Sequence, residues 1–267
     1  MIAPNIPNLV LTASILQKKN LSGDPRKTRL RLFYWVRNIS HPRRTSETTM
    51  KAVTPHGMLF VASDIGADDE TDFNAWYDRE HIEERVRMDG VISAARYIAV
   101  DSHPKYLSLY WADSIGVFAS QAYSHAFRHQ TPWSVKTLPK MLSPTRRIGE
   151  VSASVGLGSG GWVAALPLNM TEDPVALAEQ CAELGARLSE DAGFVHSYLL
   201  MPNNELSRPL PLEDLSTRQM QPIFIIESSS SASSEDALKI AVAGLACTPS
   251  RAARYSLTWK LSAKELT

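Results

Sequence analysis

The spacing of hydrophobic and polar positions from residue 57 onwards predicts a regular alternation of strands and helices. A first β-α-β-β-α-β run is predicted at residues 57–65, 69–88, 91–100, 106–111, 115–129 and 147–155. The same order of elements then returns at residues 161–168, 174–190, 194–200, 223–227, 235–246 and 254–261. A glycine-rich segment at 156–161 separates the two runs and is typical of a flexible linker. The pattern therefore predicts one structural unit present twice.

Each run is typical of a four-stranded antiparallel sheet with two helices on one face, the ferredoxin-like arrangement. One such sheet leaves a face uncovered, and packing the two sheets together would bury both. We therefore expect an α+β fold in which two ferredoxin-like β-α-β-β-α-β units form an α/β barrel. The expected domains are a basic N-terminal extension (1–55), a first unit (56–156) and a second, diverged unit (157–267). The chain would be a monomer with an internal pseudo-dimer, or a homodimer.

Composition limits the classes of protein to which the chain can belong. Its 267 residues are 44% hydrophobic and 21% charged, which is ordinary for a globular protein. Cys181 and Cys247 are too few for a disulfide scaffold, and no apolar run reaches the roughly 18 residues of a membrane span. No secretory leader pattern is visible at the start. These features favour the cytoplasm and exclude a membrane partner.

The first fifty residues differ in charge from the rest of the chain. They hold nine Lys and Arg residues against Asp24 and Glu47, a net charge of +7. An appended or misassigned start before Met50, a targeting segment and a nucleic-acid arm are the alternatives. The basic residues form no regular face, so no nucleic-acid partner is expected.

The segment 73–88 carries the most informative chemistry. At 100° per residue, seven side chains fall within an arc of about 140° on a core-facing stripe. These side chains belong to Phe73, Trp76, Tyr77, Glu80, His81, Glu84 and Met88. Tyr77 and Glu84 lie four and three residues from His81 and so neighbour it on the helix. A histidine beside a phenol and a carboxylate is a candidate general acid or base, and the alternative is a hydrogen-bonded histidine at the core edge.

A second group of candidates lies on the strands and loops. Arg96 shares a strand face with apolar residues, where a buried guanidinium needs an anion: a substrate carboxylate, or Glu80 or Glu84. Further candidates for the wall of the binding site are Trp76, Glu84, Tyr110, His125, Trp133 and His196. His125 and His129 have the i, i+4 spacing of zinc ligands but lack a third ligand nearby, so neither a metal site nor a cofactor is expected.

Several segments in a fixed order resemble one protein family. They are Asn74-Ala-Trp-Tyr-Asp-Arg-Glu-His81, Gly90-Val-Ile-Ser-Ala-Ala-Arg96-Tyr97, Pro104-Lys-Tyr-Leu-Ser-Leu-Tyr110, Ala122-Tyr123 and Thr131-Pro-Trp-Ser134. Together they are similar to the EthD-like branch of the dimeric α/β-barrel superfamily over residues 57–150. The resemblance implies a pocket between sheet and helices, with His81, Tyr77 and Arg96 as its functional residues. It implies isomerases, cofactor-free monooxygenases, haem-dependent enzymes and proteins without known activity as relatives.

The residues favour a cofactor-independent isomerase of a small unsaturated carboxylic acid from aromatic-compound catabolism. Arg96 would bind the carboxylate, His81 would transfer the proton, and Tyr77 or Tyr110 would stabilise the enolate oxygen. A cofactor-free monooxygenase of phenolic substrates and a non-catalytic protein that binds aromatic acids are the alternatives. In each case the expected partner is a small carboxylate or an aromatic-derived molecule.

Overall fold

The computed structural model describes residues 54–100 and 102–266, which belong to one compact unit. All but two residues of the expected N-terminal extension lie outside this part of the chain. Within these ranges the eight strands are β1 Gly57–Ile65, β2 Val91–Ala99, β3 Tyr106–Ala112, β4 Met141–Gly156, β5 Trp162–Pro167, β6 Phe194–Pro202, β7 Ile223–Ser228 and β8 Ala253–Ser262. The seven α-helices of the described residues are α1 Glu70–Trp76, α2 Ile82–Val86, α3 Gly116–Ala119, α4 Gln121–Arg128, α5 Pro132–Thr137, α6 Pro174–Leu188 and α7 Ser231–Gly244.

The strands close into a single barrel in the order β1-β3-β2-β8-β5-β7-β6-β4, and β4 pairs again with β1. Every neighbouring pair is antiparallel. Closure leaves no free sheet edge, because each strand has two hydrogen-bonded neighbours. The expected α+β class and the barrel are confirmed.

Three apolar layers follow from the alternation of side chains along the strands. One buried cluster takes residues from all eight strands and therefore fills the barrel interior. A second cluster lies between the sheet of β1–β4 and helices α1–α5, and a third lies between the strands β4–β7 and helices α6 and α7. The candidate residues at 73–88 belong to the second layer, outside the barrel.

The predicted helix at 69–88 is interrupted. Residues Tyr77–His81 form a π-helical turn between α1 and α2, and the helix ends at Val86. Gly90 follows with φ +84°, and a Cβ there would lie 2.5 Å from Val117 Cγ2. A side chain is therefore excluded at this turn both by its left-handed backbone and by the close approach of α3.

The predicted helix at 115–129 is also broken, at Ser120. This residue has an extended backbone, and its hydroxyl accepts a hydrogen bond from the Tyr123 amide at 3.1 Å, which caps α4. The connection that precedes β4 contains a further helix, α5, which is capped in the same way by Thr131. Helix α7 begins at Ser231, four residues earlier than the predicted start at 235, and Ser230 caps it.

None of the helices in the described ranges is long and apolar enough to cross a membrane.

Candidate functional site

The π-helical turn places three aromatic rings together. The rings of Trp76 and His81 stack with their centroids 4.2 Å apart, and the Tyr77 ring meets His81 edge-on at 5.3 Å. In a regular α-helix, residues five apart point about 140° away from one another. A π turn closes i→i+5 hydrogen bonds, so it brings residues five apart much closer to the same side. The stacking of Trp76 on His81 is therefore a product of this turn.

His81 is buried, with 9% of its surface exposed, and its Nδ1 has no hydrogen-bond partner in the described part of the chain. Burial holds the pKa of the imidazole well below its usual value, and the nearby positive charges of Arg85 and Arg96 lower this pKa further. His81 is therefore neutral at neutral pH. A neutral imidazole has a nitrogen lone pair that can accept a proton.

His81 lines a small cavity between the sheet and the helices. The cavity has a volume of about 40 Å³. Its walls are formed by Leu59, Val61, Tyr77, His81, Arg85, Tyr110, Tyr123, Phe127, Gln130, Leu138, Met141, Arg146 and Leu210. This is room for very few water molecules, so a larger molecule enters only if side chains at the rim move. Phe127 and Gln130 are half-buried and lie at that rim.

Three buried polar atoms on this wall lack a hydrogen-bond partner among the described residues: His81 Nδ1, Arg85 Nη1 and the Tyr110 hydroxyl. The side chains are 9%, 7% and 2% exposed. Burial raises the pKa of the Tyr110 phenol well above its usual value, so the phenol keeps its proton and can donate it to an acceptor. Buried polar groups are normally paired, so these three atoms are the positions at which a bound water or ligand would complete the hydrogen bonding.

The opposite wall is held rigid by Arg146. Its Nη1 donates to the carbonyl oxygens of Leu206 at 2.9 Å and Arg208 at 3.0 Å, and its Nη2 donates to the Tyr123 hydroxyl at 2.9 Å. The guanidinium also lies over the Phe127 ring, 5.0 Å from its centroid. Arg146 therefore fixes the aromatic wall and adds positive charge beside the cavity.

Arg96 lies in the same layer, and two of its three guanidinium nitrogens are paired, whereas the buried Nε has no hydrogen-bond partner among the described residues. Nη1 donates to Asp78 Oδ1 at 3.1 Å, and Nη2 donates to Asn74 Oδ1 at 2.6 Å. The group also stacks over the Tyr77 ring at 4.4 Å. Neither Glu80 nor Glu84 is the partner, and Arg96 does not line the cavity. The arrangement makes Arg96 a support of the helix that carries His81.

Trp76 and Trp133, which the sequence indicated as candidates for the wall of the binding site, make hydrogen bonds to neighbouring side chains instead. Trp76 is fully buried and donates from Nε1 to Ser134 Oγ at 3.1 Å. Trp133 is half-buried and donates to Asp72 Oδ1 at 3.2 Å. Glu84 lies 3.8 Å from Arg85 Nη2, and no contact joins it to His81. None of these three side chains lines the cavity.

The structure places the two remaining predicted histidines away from His81. His125 is exposed and stacks on His129 with centroids 4.1 Å apart. His196 lies on β6, with its Nε2 2.7 Å from Ser154 Oγ, and its ring stacks on Trp111 of β3. Burial lowers the pKa of His196 as well. The structure therefore brings together Tyr77, His81 and Tyr110 from the predicted set and leaves these histidines outside.

Sequence reasoning missed Arg85, Tyr123 and Arg146. Arg85 had a visible signal, since it lies four residues after His81 and therefore on the same face of a helix. The sequence carried no comparable signal for Arg146, because its hydrogen-bond partners at 206 and 208 lie in a loop that is distant in the sequence. In the part of the chain that the structure describes, no group of three or more His, Cys, Asp or Glu side chains could hold a metal ion.

No family model matches the sequence, and no curated protein matches it. Solved structures do resemble the fold. An anthrone oxidase-like protein is 15% identical, with a TM-score of 0.52 over 79% of this chain and 94% of its own. A candidate monooxygenase from Fusobacterium nucleatum is 10% identical, with a TM-score of 0.51 over 78% of this chain and 95% of its own.

These comparisons show that the α/β-barrel fold of this chain is similar to that of the two proteins. They also correct the functional expectation. The similar structures carry the names of oxidative proteins, so the isomerase expected from the sequence is wrong.

Proposed function

We propose that this protein oxidises a phenolic or enolisable aromatic substrate with molecular oxygen. The observation that carries the proposal is the set of three unpaired polar atoms, His81 Nδ1, Arg85 Nη1 and the Tyr110 hydroxyl, on the wall of one apolar cavity. A base and two donors around apolar surface suit an aromatic molecule that loses a proton and gains negative charge on oxygen.

The neutral imidazole of His81 accepts the proton from the substrate's acidic O–H or C–H group. Arg85 and Tyr110 then donate hydrogen bonds to the resulting oxyanion, and the desolvated cavity strengthens these interactions. The electron-rich carbanion reacts with O₂. For a ring methylene that lies across the ring from a carbonyl and is conjugated with it through the aromatic carbons, one atom of O₂ becomes the new carbonyl oxygen, and the other leaves as water with the two methylene hydrogens.

The comparisons support the same chemistry. The first similar structure is named after an anthrone oxidase, and the second is named as a monooxygenase. An anthrone carries a ring methylene activated by a carbonyl, which is the type of substrate that a neutral base and an oxyanion site would activate. The positive charges of Arg85 and Arg146 beside the cavity favour the anionic form of this substrate.

Anthrone is therefore the probe for the test. We expect the purified full-length chain to consume O₂ in its presence, with one atom of isotopically labelled O₂ in the quinone product. Arg85→Gln should lose most of this activity, and Arg87→Gln, two residues further on and exposed, should keep it. Absence of O₂ uptake with anthrone and with simple quinols would contradict the proposal. Activity that follows bound haem, flavin or metal would contradict it as well.

We also propose that the barrel arose by tandem duplication of a ferredoxin-like unit of the EthD-like branch. Strands β1–β4 occur in the order β4-β1-β3-β2, and β5–β8 occur in the corresponding order β8-β5-β7-β6. Gly90 and Gly193 hold equivalent places before β2 and β6, each with positive φ. When these glycines are aligned, Leu184 falls opposite His81 and Leu199 opposite Arg96. The first unit is then the one that retains the site.

A further inference from the structure

One end of the barrel interior is open and forms a second cavity of about 250 Å³. Its apolar wall includes interior residues of four strands, β1, β5, β7 and β8, namely Phe60, Ala62, Ala165, Ile223, Ala253 and Tyr255. We call this cavity the barrel mouth. It is much larger than the cavity at His81, which has about 40 Å³. A single aromatic ring fits a space of this size without rearrangement.

The barrel mouth is separate from the His81 cavity although the two share a wall. On β1, Leu59 lines the His81 cavity and the next residue, Phe60, lines the mouth. On β4, Arg146 lines the His81 cavity and the next residue, Arg147, lines the mouth. Successive side chains of a strand point to opposite faces of the sheet, so the two cavities lie on opposite sides of it.

Positive charge is in excess at the barrel mouth. Arg147 and Arg251 line it, and Arg218 lies close enough to Arg147 to lower the pKa of its guanidinium, after the larger effect of burial. Glu213 accepts hydrogen bonds from Arg147 at 2.6 Å and from Arg218 at 2.8 Å. One buried carboxylate therefore serves two guanidinium groups.

The second carboxylate near the mouth belongs to Asp64, and it does not pair with the third guanidinium, that of Arg251. Asp64 Oδ1 accepts from the Lys105 amide at 2.7 Å and lies 3.0 Å from His103 Nδ1. Arg251 donates instead to the neutral amide oxygen of Gln221. The charge of Arg251 is thus without a carboxylate partner in the described ranges, at the edge of an apolar cavity.

Arg147 also keeps one amino group for a ligand. Its Nε donates to the Gln219 carbonyl oxygen, and its Nη1 donates to the Arg146 carbonyl oxygen and to Glu213. Nη2 has no hydrogen-bond partner within the described residues, and it is not sealed from solvent. The side chain is only 6% exposed, so it is held in place before a ligand arrives.

We propose that the barrel mouth binds a small monocarboxylate with an aromatic body. The ring lies between Phe60 and Tyr255, and the carboxylate accepts hydrogen bonds from Arg147 and Arg251. The basic N-terminal segment is not the occupant that charge complementarity favours, since residues 1–50 carry a net charge of +7. This site does not depend on the reaction proposed for His81.

The test is calorimetric titration of the full-length chain with benzoate at low ionic strength. We expect saturable binding of one benzoate and no saturable binding of benzamide, which has the same ring without the charge. Arg251→Gln should weaken benzoate binding roughly tenfold to a hundredfold through loss of a charge-assisted hydrogen bond. Arg187→Gln, an exposed arginine of α6 outside the mouth, is the matched control and should bind as the wild type does.

Two further variants decide where benzoate binds. Ala253→Leu fills part of the mouth and should weaken binding at least fivefold, whereas His81→Gln should leave it unchanged. Benzoate binding that survives Arg251→Gln and Ala253→Leu but is lost in His81→Gln would assign the ligand to the other cavity and overturn the proposal. Equal binding of benzamide, or no binding of benzoate by the wild type, would overturn it too. Melting temperatures of each variant verify that it is folded.

Discussion

The rings of Trp76 and His81 are stacked, with their centroids 4.2 Å apart and an angle of 29° between their planes. Trp76 is in turn fixed by its hydrogen bond to Ser134, which is fully buried. This chain of contacts holds the imidazole at the cavity wall without using a ring nitrogen, so Nδ1 stays available. The π-helical turn that permits the stacking is a type of irregularity often found at functional sites.

The first prediction concerns His81. His81→Gln should lower turnover in O₂ uptake with anthrone by roughly 10²- to 10⁴-fold, because the general base is removed. Exposed His129, changed to Gln, is the matched control and should retain full turnover. Melting temperature and turnover are measured on the same samples. A destabilised His81→Gln with normal turnover per folded molecule would leave His81 a purely structural residue.

The second prediction concerns the charge beside the base. Arg85→Gln should raise the KM for anthrone and lower kcat, since the oxyanion loses a donor in both the bound and the transition state. It should also raise the pKa of His81, because the Arg85 charge is one of the causes of its lowering. NMR titration of the histidine ring protons measures that shift. An unchanged His81 titration in Arg85→Gln would show that the two side chains do not interact.

The third prediction is a pH dependence of stability. A histidine in the unfolded chain titrates at about pH 6.5, whereas the pKa of folded His81 lies well below that value. In this interval the unfolded chain binds more protons, so stability rises with pH and is lost as pH falls from about 6.5 toward the folded pKa. His196 acts in the same direction, because its pKa is also lowered.

This prediction is tested by comparing how much stability the wild type and the His81→Gln variant each lose on acidification. Urea unfolding of the wild type and of His81→Gln is compared between about pH 7 and about pH 5, where only the contribution of residue 81 differs. The wild type should lose more stability on acidification than the variant. Parallel curves for the two proteins would mean that folding leaves the pKa of His81 unchanged.

The fourth prediction compares two tryptophans. Trp76→Phe removes the hydrogen bond to buried Ser134 and should lower the free energy of unfolding by about 1–3 kcal/mol. Trp133→Phe removes a half-exposed hydrogen bond to Asp72 and should cost less than about 1 kcal/mol. Urea denaturation gives both values. An equal loss in the free energy of unfolding for the two variants would show that the buried hydrogen bond stabilises the protein no more than the half-exposed one.

The fifth prediction tests the two-unit origin of the barrel. A chain that ends at Gly158 loses the partners of β2 and β4, because β2 pairs with β8 and β4 pairs with β6. It should dimerise through the freed edges or aggregate. Light scattering and circular dichroism determine its size and fold. A folded, soluble monomer would contradict an obligatory pairing of the two halves.

Much of the fold was accessible from the sequence because it depends on local periodicity. The bounds of β1 were predicted without error, and the other strands were placed to within a few residues except at the start of β4. That start was missed because 141–146 does not alternate cleanly and its pairing with β1 is interrupted by a bulge. The break at Ser120 was missed because a single serine cap is weak beside the helical pattern around it.

The sequence by itself determined the order of elements, the α+β class and the placement of Tyr77 and His81 on one core-facing helix stripe, since each follows from spacing along the chain. Tertiary structure alone decided which polar groups found partners. Asp78 and Asn74 accept hydrogen bonds from Arg96, and Ser134 accepts one from Trp76. Arg146 donates to a carbonyl oxygen in a loop more than fifty residues away in the sequence. The atoms left unpaired depend on this long-range competition for hydrogen bonds, which no local pattern of residues encodes.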